Sequence, residues 1–431
     1  MLSDMLRGHP ARRMQMVLLV GVVTAGAYSG SAMSPLQESM RAALELTDNQ
    51  VAVLQGPALA LPMALAAIPL GLIIDRHSRV RLLVVLAAVN VIGSVFTALA
   101  SSFMALLAAR CLIGLAAFAV NPVASSLVAD WQPPQQRGRA TMYLVFGQSA
   151  GMGAVFGIGG FLLAHPLGPG ISWRRVLLVL TAPLILAIPA ALRMTEPQRS
   201  GTDVSNPSTS HTWRELWHFR AVVGPLLLGV VMTQIGLGAD YIWAAPMLAR
   251  DFHLATDELG AILACGLLLS GVSGSILGGV LADACQKQGG PVRTLAGLII
   301  LSTLAAPTAL YAFVPGAPAA SVLLTVFITI MTAASVMGTT LFIIVIPNEL
   351  RGLCTAVMMA ACVVVGSGMA PLMVSALAAS VGGASMIGKS LSTVCALAGM
   401  LAAASFALSR RSLGGFGEGS QVPGLDARRL P

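Results

Sequence analysis

At Gly71-Leu72-Ile73-Ile74-Asp75-Arg76-His77-Ser78-Arg79-Val80-Arg81 a long apolar run stops, and one acid and three arginines fall within seven residues before the next run begins. This is the tightest charge cluster between two membrane-length segments. A weaker copy, Gly279-Val280-Leu281-Ala282-Asp283 followed by Lys287 and Arg293, stands about 208 positions later. The chain reads as two copies of one design.

Working outward, composition fixes the class. With 56% hydrophobic residues, 10% charged residues and a mean hydropathy of +0.84, the chain cannot cover a water-facing surface, which in soluble domains is drawn from about 25% charged residues. It is expected to be an integral membrane protein. The net charge of +8 is spread over many short loops, which suits membrane orientation and gives no nucleic-acid partner. The six cysteines have no C-x-x-C spacing and imply neither a disulfide framework nor a zinc site. The nearest glycosylation pattern, Asn206-Pro207-Ser208, is disqualified by its proline, which favours a bacterial source.

About 20 apolar residues are needed to cross the hydrocarbon core. On that measure the chain holds twelve spans: 14–34, 51–74, 82–100, 104–129, 141–164, 174–194, 221–249, 257–282, 294–314, 319–346, 353–379 and 387–408. Their length excludes barrel strands of about ten residues. The first span, with Arg7, Arg12 and Arg13 before it, also resembles a signal peptide, but its counterpart opening the second half argues for a retained helix. With both termini cytoplasmic, 19 of the 25 basic residues fall on the cytoplasmic side and five on the other, leaving Arg110 within a span; the positive-inside rule favours this orientation.

The expected architecture is an all-α membrane protein of twelve transmembrane helices in two pseudo-symmetric six-helix bundles. A cytoplasmic segment, 1–13, precedes the first bundle, 14–194. A Ser-, Thr- and Pro-rich cytoplasmic linker, 195–220, leads to the second, 221–408, and a flexible cytoplasmic tail, 409–431, follows. The halves align at Thr47-Asp48 with Thr256-Asp257, at Gly71/Asp75 with Gly279/Asp283, and at Arg137-Gly138 with Arg351-Gly352. Such a duplication places a substrate between the halves near the bilayer midplane.

The Gly-x-x-x-Asp-Arg-x-x-Arg-x-Arg loop resembles the signature between the second and third helices of the major facilitator superfamily. Arg110-Cys111-Leu112-Ile113-Gly114 resembles that family's fourth-helix motif, Asp130 to Arg139 its loop into the fifth helix, and Trp173-Arg174 its entry to the sixth. Within the family, Ile68-Pro69-Leu70-Gly71 and Pro347-Asn348-Glu349-Leu350-Arg351-Gly352 are most similar to the spinster-like transporters. The chain departs from that group in lacking an acid between Gly21 and Ser34 and shortly after Gly114. Its fifth helix has Val155-Phe156 where an antiporter motif has Gly-Pro.

The resemblance implies a cytoplasmic gate at Gly71, Asp75, Arg76, Arg79 and Arg81, with Gly279, Asp283, Arg137 and Arg351 as its other parts. Asp75 is expected near the start of the eleventh helix when that side is closed, where a helix dipole favours a carboxylate by up to ~1 kcal/mol. The alternative makes the arginines topology anchors only. Within the spans, Asp240 is the one acid and Arg110 the one base well inside; both lie roughly 9 to 14 Å from the outer side, at 1.5 Å per residue. A central charge is costly, so such residues face a cavity or a partner. They are expected to face each other across the cavity, Asp240 as a protonation site and Arg110 as an anion contact; the alternative has each satisfied structurally. Tyr28, Asn121, Gln234, Thr339 and Thr340 lie on the helices that the resemblance makes cavity-lining. Asn90 and Gln148 are expected to hydrogen-bond between helices, and the small residues Gly266, Ser270, Gly274, Gly278, Gly147 and Gly151 to mediate packing.

No H-E-x-x-H or phosphate-cradling loop is readable, so no enzyme, cofactor or metal is expected. The reading is a monomeric secondary transporter of the bacterial inner membrane, moving a small organic solute by alternating access with protons as the expected coupling ion. The open alternatives are a uniporter or facilitator and, in another class, a non-transporting membrane sensor.

Overall fold

The computed structural model of the protein describes residues 10–132, 134–165, 172–197, 220–346 and 348–415; for 10–12, 68, 75, 134–139, 348–353, 414 and 415 it describes the backbone alone. Helices account for the architecture. In hydrocarbon every backbone N–H and C=O must be satisfied within its own segment, and runs of Leu, Val, Ile and Ala of this length satisfy them as helix.

The first half comprises α1 (Pro10–Ser31), α2 (Pro57–Arg76), α3 (Arg79–Leu99), α4 (Phe103–Trp131), α5 (Pro134–Ala164) and α6 (Trp173–Ile185, continued by Ala187–Leu192). Between α1 and α2 run the short helices Gln37–Ala43 and Asp48–Gln55. The latter starts at a capping box in which Thr47 Oγ1 accepts from the Gln50 N–H, while Gln50 Oε1 accepts from the Thr47 N–H at 2.9 Å. Gly56 then breaks the chain ahead of Pro57.

The second half opens with α7 (Arg220–Asp251). The helical run Thr256–Thr308 that follows is interrupted at Gly289 and Gly290, where Gly290 takes φ 61°, open to glycine but costly for a residue with a Cβ. This separates α8 (256–288) from α9 (291–308). α10 (Ala317–Val345) precedes α11, which runs Asn348–Ala361, turns π-helical over Cys362–Met369 and resumes over Ala370–Val381; α12 (Ile387–Gly415) ends the described chain.

Among the described residues eleven segments are long and apolar enough to cross a membrane, and one, Thr256–Phe313, has 58 residues. At 1.5 Å per residue that segment is about 85 Å long against a core of about 30 Å, so with its break at Gly290 it crosses twice. Twelve crossings in two sets of six are what the apolar runs predict. The bundle exposes large apolar side chains outward, such as Leu65, Leu99, Met104 and Leu186, each more than 60% exposed, as a lipid-facing surface requires. The protein is integral to a membrane. The expected linker at 195–220 and the segment 1–13 lie mostly outside the described residues. The tail expected from 409 begins as helix, because α12 continues to Gly415.

Small residues set the helix contacts. On α8, Gly274 and Gly278 lie against the Thr329 and Ala333 carbonyls of α10; on α5, Gly147 and Gly151 lie against Thr24 and Tyr28 of α1. A Cβ at any of these four would come within 3 Å of a neighbour. This is the packing expected where apolar burial gives no preference for helix over lipid.

Candidate transport site and gates

We call the end of the bundle where α1 begins and α12 ends proximal and the opposite end distal. Among the described residues, close contacts across the halves gather toward the distal end, with Ser149 of α5 against Gly271 of α8 at mid-depth. Distally α5 meets α8 glycine to glycine: a Cβ on Gly160 would lie 2.8 Å from the Thr256 carbonyl and from Gly260 Cα, and one on Gly153 2.9 Å from the Ala264 carbonyl. α2 meets the π-helical stretch of α11, with Gly56 against the Gly368 carbonyl and Ala60 beside Gly368. The same stretch touches α7, where Gly238 abuts the Gly366 carbonyl, and Trp243 Nε1–H donates to the Pro371 carbonyl at 3.0 Å. A widened turn therefore sits where α11 touches both halves, as π segments often do at functional positions.

An ion quartet closes this end. Arg250 at the end of α7 donates to both oxygens of Glu38 (3.1 and 2.7 Å) and of Asp48 (3.1 and 2.8 Å), which belong to the other half. Arg41 adds looser pairs, 3.5 Å to Glu38 and 3.9 Å to Asp48. Two cations and two anions balance, and the doubly bidentate geometry is the strongest that a guanidinium offers. Sequence reading missed this group. The only signal was that Arg41 and Arg250 belong to the five basic residues on the arginine-poor side.

At the proximal end Arg79 is 3% exposed, whereas Arg76 and Arg81 point outward. Its guanidinium donates to Glu196 at 3.0 Å, to the Ser126 hydroxyl and carbonyl at 3.0 and 3.2 Å, and to Asp130. Glu196 also accepts from the Ser78 hydroxyl (2.8 Å) and from the Val80 N–H (2.9 Å) at the start of α3. Burial pushes the Glu196 carboxyl up, but the Val80 N–H, the Ser78 hydroxyl and the Arg79 guanidinium outweigh it and hold the group below the usual carboxylate range. Arg79 thus ties α3, α4 and the segment after α6 together inside one half. The side chains of Asp75, Arg137 and Arg351 lie outside the described residues. Gly71 and Gly279 border open space, and Asp283 is exposed with no ion pair among the described residues.

The two membrane charges do not meet. Arg110, 1% exposed, donates from Nε to the Leu54 carbonyl (3.2 Å) and from Nη2 to the Gly30 carbonyl (2.9 Å), pinning the end of α1 and the approach to α2 onto α4. Asp240, 1% exposed, lies among α7, α9 and α12; Tyr311 Oη–H donates to its Oδ1, and Cys395 Sγ is 3.6 Å from the same oxygen. The expected pairing across a cavity gives way to two charges sequestered in separate halves. Neither Tyr311 nor Cys395 was singled out in the sequence.

The neutral candidates fare differently. Gln148 of α5 donates to Asn121 of α4 at 3.0 Å, and Ser335 of α10 donates to Gln234 of α7 at 2.9 Å. Tyr28 Oη is buried with no hydrogen-bond partner among the described residues. Thr340 returns its hydroxyl to the Val336 carbonyl within its own helix, and Thr339 is half-buried. Asn90, expected to bond between helices, instead donates to the Leu86 carbonyl one turn back.

Residues 17–371 match the family model described as the Major Facilitator Superfamily. The chain is 27% identical over 252 residues to an uncharacterised MFS-type transporter, YceJ, of Bacillus subtilis (strain 168), covering 57% of this chain and 60% of that protein. It is 30% identical over 190 residues to a triacylglyceride transporter of Mycobacteroides abscessus, covering 43% and 35% respectively. The matched stretch is thus less than two thirds of either relative's length. Among solved structures, a bacterial homologue of the human lysosomal transporter Spinster, inward-facing and unoccupied, superposes with a TM-score of 0.76 at 21% identity over 95% of this chain and 98% of that one. A D-xylose-proton symporter gives 0.67 at 16% identity over 91% and 96%. Each is a likeness of fold. The expectation of a transporter fold rather than an enzyme agrees with these relatives, and the chain belongs to the Major Facilitator Superfamily.

Proposed function

We propose that the protein is a secondary active transporter that moves a small organic solute across the bacterial inner membrane by alternating access, as a monomer with both termini cytoplasmic. The observation that carries this reading is the asymmetry of the contacts between halves. Among the described residues they gather distally, in the α5–α8 glycine contact, the α2–α11 contact and the Arg250 quartet, which supports a carrier closed on that side. In the opposite state the proximal motif would close its own side, with Gly71, Asp75, Arg76, Arg79, Arg81, Gly279, Asp283, Arg137 and Arg351 forming the gate. The two halves would rock about a midplane site.

Protons are the proposed coupling ion and Asp240 the proposed carrier, as the one acid well inside the described spans. A facilitator is the second reading, favoured because the hydrogen-bond contacts of Asp240 among the described residues, Tyr311 and Cys395, lie in its own half. Reconstituted vesicles separate the two. With a transported solute, a proton-coupled carrier accumulates it against its gradient when a pH gradient is imposed, and Asp240→Asn abolishes that accumulation while leaving exchange. Equilibration without accumulation, or an unchanged pH dependence in Asp240→Asn, removes Asp240 as the coupling site.

A further inference from the structure

We infer that the substrate is an uncharged solute bearing both hydrogen-bond donors and acceptors, held at mid-membrane between the Asn121–Gln148 pair of one half and the Gln234–Ser335 pair of the other. This deepens the transporter reading and rests on it.

With both membrane charges sequestered, neutral amides are polar groups left at mid-depth among the described residues. Arg110 is capped by the Leu54 and Gly30 carbonyls and Asp240 is enclosed by Tyr311 and Cys395, both about 99% buried, so neither offers a charge to a solute between the halves. Asn121, Gln148, Gln234 and Ser335 are half-buried, and each is at least ten residues, ~15 Å, from either end of its helix. Each pair makes a single hydrogen bond and leaves amide atoms over. Asn121 Nδ2, Gln148 Oε1 and Gln234 Nε2 have no hydrogen-bond partner among the described residues, and none is enclosed by protein.

A free amide at mid-depth facing lipid would be left unsatisfied in hydrocarbon, which costs several kcal/mol. The free groups therefore face a polar route, and the route available is the seam between the halves. The near-symmetry supports this: Asn121 and Ser335 lie 18 residues from the starts of α4 and α10, at the 214-residue offset that relates Arg137 to Arg351. The seam thus offers two donors and one acceptor with no net charge. A charged solute would lose its hydration without a counter-charge, while an uncharged one trades water hydrogen bonds for amide ones. The buried hydroxyl of Tyr28, on α1 of the first half, is a further group with no hydrogen-bond partner among the described residues.

The test is uptake by the full-length protein in liposomes of matched pairs differing in charge: nicotinamide with nicotinate, uridine with uridine monophosphate, D-xylose with xylonate. Binding to the same panel is read by thermal shift. An uncharged member moving at least tenfold faster than its charged partner, with Asn121→Leu and Gln234→Leu each cutting that flux at least tenfold, supports the assignment. Asn121→Gln, which keeps the amide, should restore part of it, whereas a purely structural role would show as a lowered melting temperature in both Leu variants. Preference for the charged members overturns the substrate class and leaves the transporter reading standing. Binding of an uncharged member that Asn121→Leu abolishes, without flux, keeps the site and overturns transport. Silence in both flux and binding counts against both.

Discussion

Glu196 and Arg79 form the ion pair whose consequences are most sharply defined. The Glu196 carboxyl is held below its ordinary range in the folded protein, so its contribution to stability is fully present above the ordinary carboxylate pKa and is lost as pH falls through the lowered folded value. Glu196→Gln is therefore expected to melt lower than the parent at neutral pH, with the gap closing on acidification into that window. A gap that persists unchanged at low pH would assign the loss to the hydrogen bonds of Ser78 and Val80 rather than to charge. The neighbouring arginines differ for a steric reason. Arg79 lies on the inward side of α3, where Asp130 and Glu196 reach it, while Arg76 and Arg81 project outward. Spacing makes all three candidates, and burial selects one.

Among the helices, the α5–α8 contact joins the two halves and leaves no room for added volume. Gly160 has the Thr256 carbonyl and Gly260 Cα within 2.8 Å of where a Cβ would stand, and both are backbone atoms that cannot move aside cheaply. Gly160→Leu is expected to wedge the helices apart, costing about 1–3 kcal/mol as overpacking and shifting the population toward distal opening. Spin labels at the distal ends of α5 and α8 should report a longer distance than in the parent; an unchanged distance would show that α8 absorbs the leucine by bending. Gly157 and Gly160 stand on α5 with nothing in the neighbouring sequence to name what they approach. Their use as an approach surface for another helix depends on Gly260 and Ala264, about 100 residues away.

At the scale of the whole molecule, the distal quartet is a polar tie between the halves. Removing Arg250 leaves Glu38 and Asp48 facing each other with only the looser Arg41. Breaking a fully buried pair costs about 3–5 kcal/mol; Arg250 side-chain exposure of 15% and Glu38 exposure of 33% bring the expectation for Arg250→Met down to about 1–3 kcal/mol. Melting at low and high salt checks it. The parent should lose part of its advantage at high ionic strength, because the pair is partly open to screening, and the variant should show faster modification of cysteines placed at the distal seam. Equal modification rates would mean that the apolar contacts alone hold that end closed.

Local chemistry accounts for the membrane class, the twelve crossings and the duplicated halves, because each follows from properties that act within a segment: apolar run length against bilayer thickness, loop charge and repeated motifs. The break at Gly290 belongs here too, since glycine readily takes a positive φ. The partner of each buried charge was beyond that reach. Asp240 and Arg110 sit at similar depths, and from depth alone they could face each other. A helix presents every direction around its axis, and α7 turns Asp240 toward Tyr311 and Cys395, while α4 turns Arg110 toward two backbone carbonyls. For the same reason Arg250, Glu38 and Asp48 carried no mutual signature: they are brought together by the closed end of the bundle, across roughly 200 residues of chain. Composition and spacing establish which groups the membrane must accommodate, and helix rotation and the docking of the halves establish which of them meet.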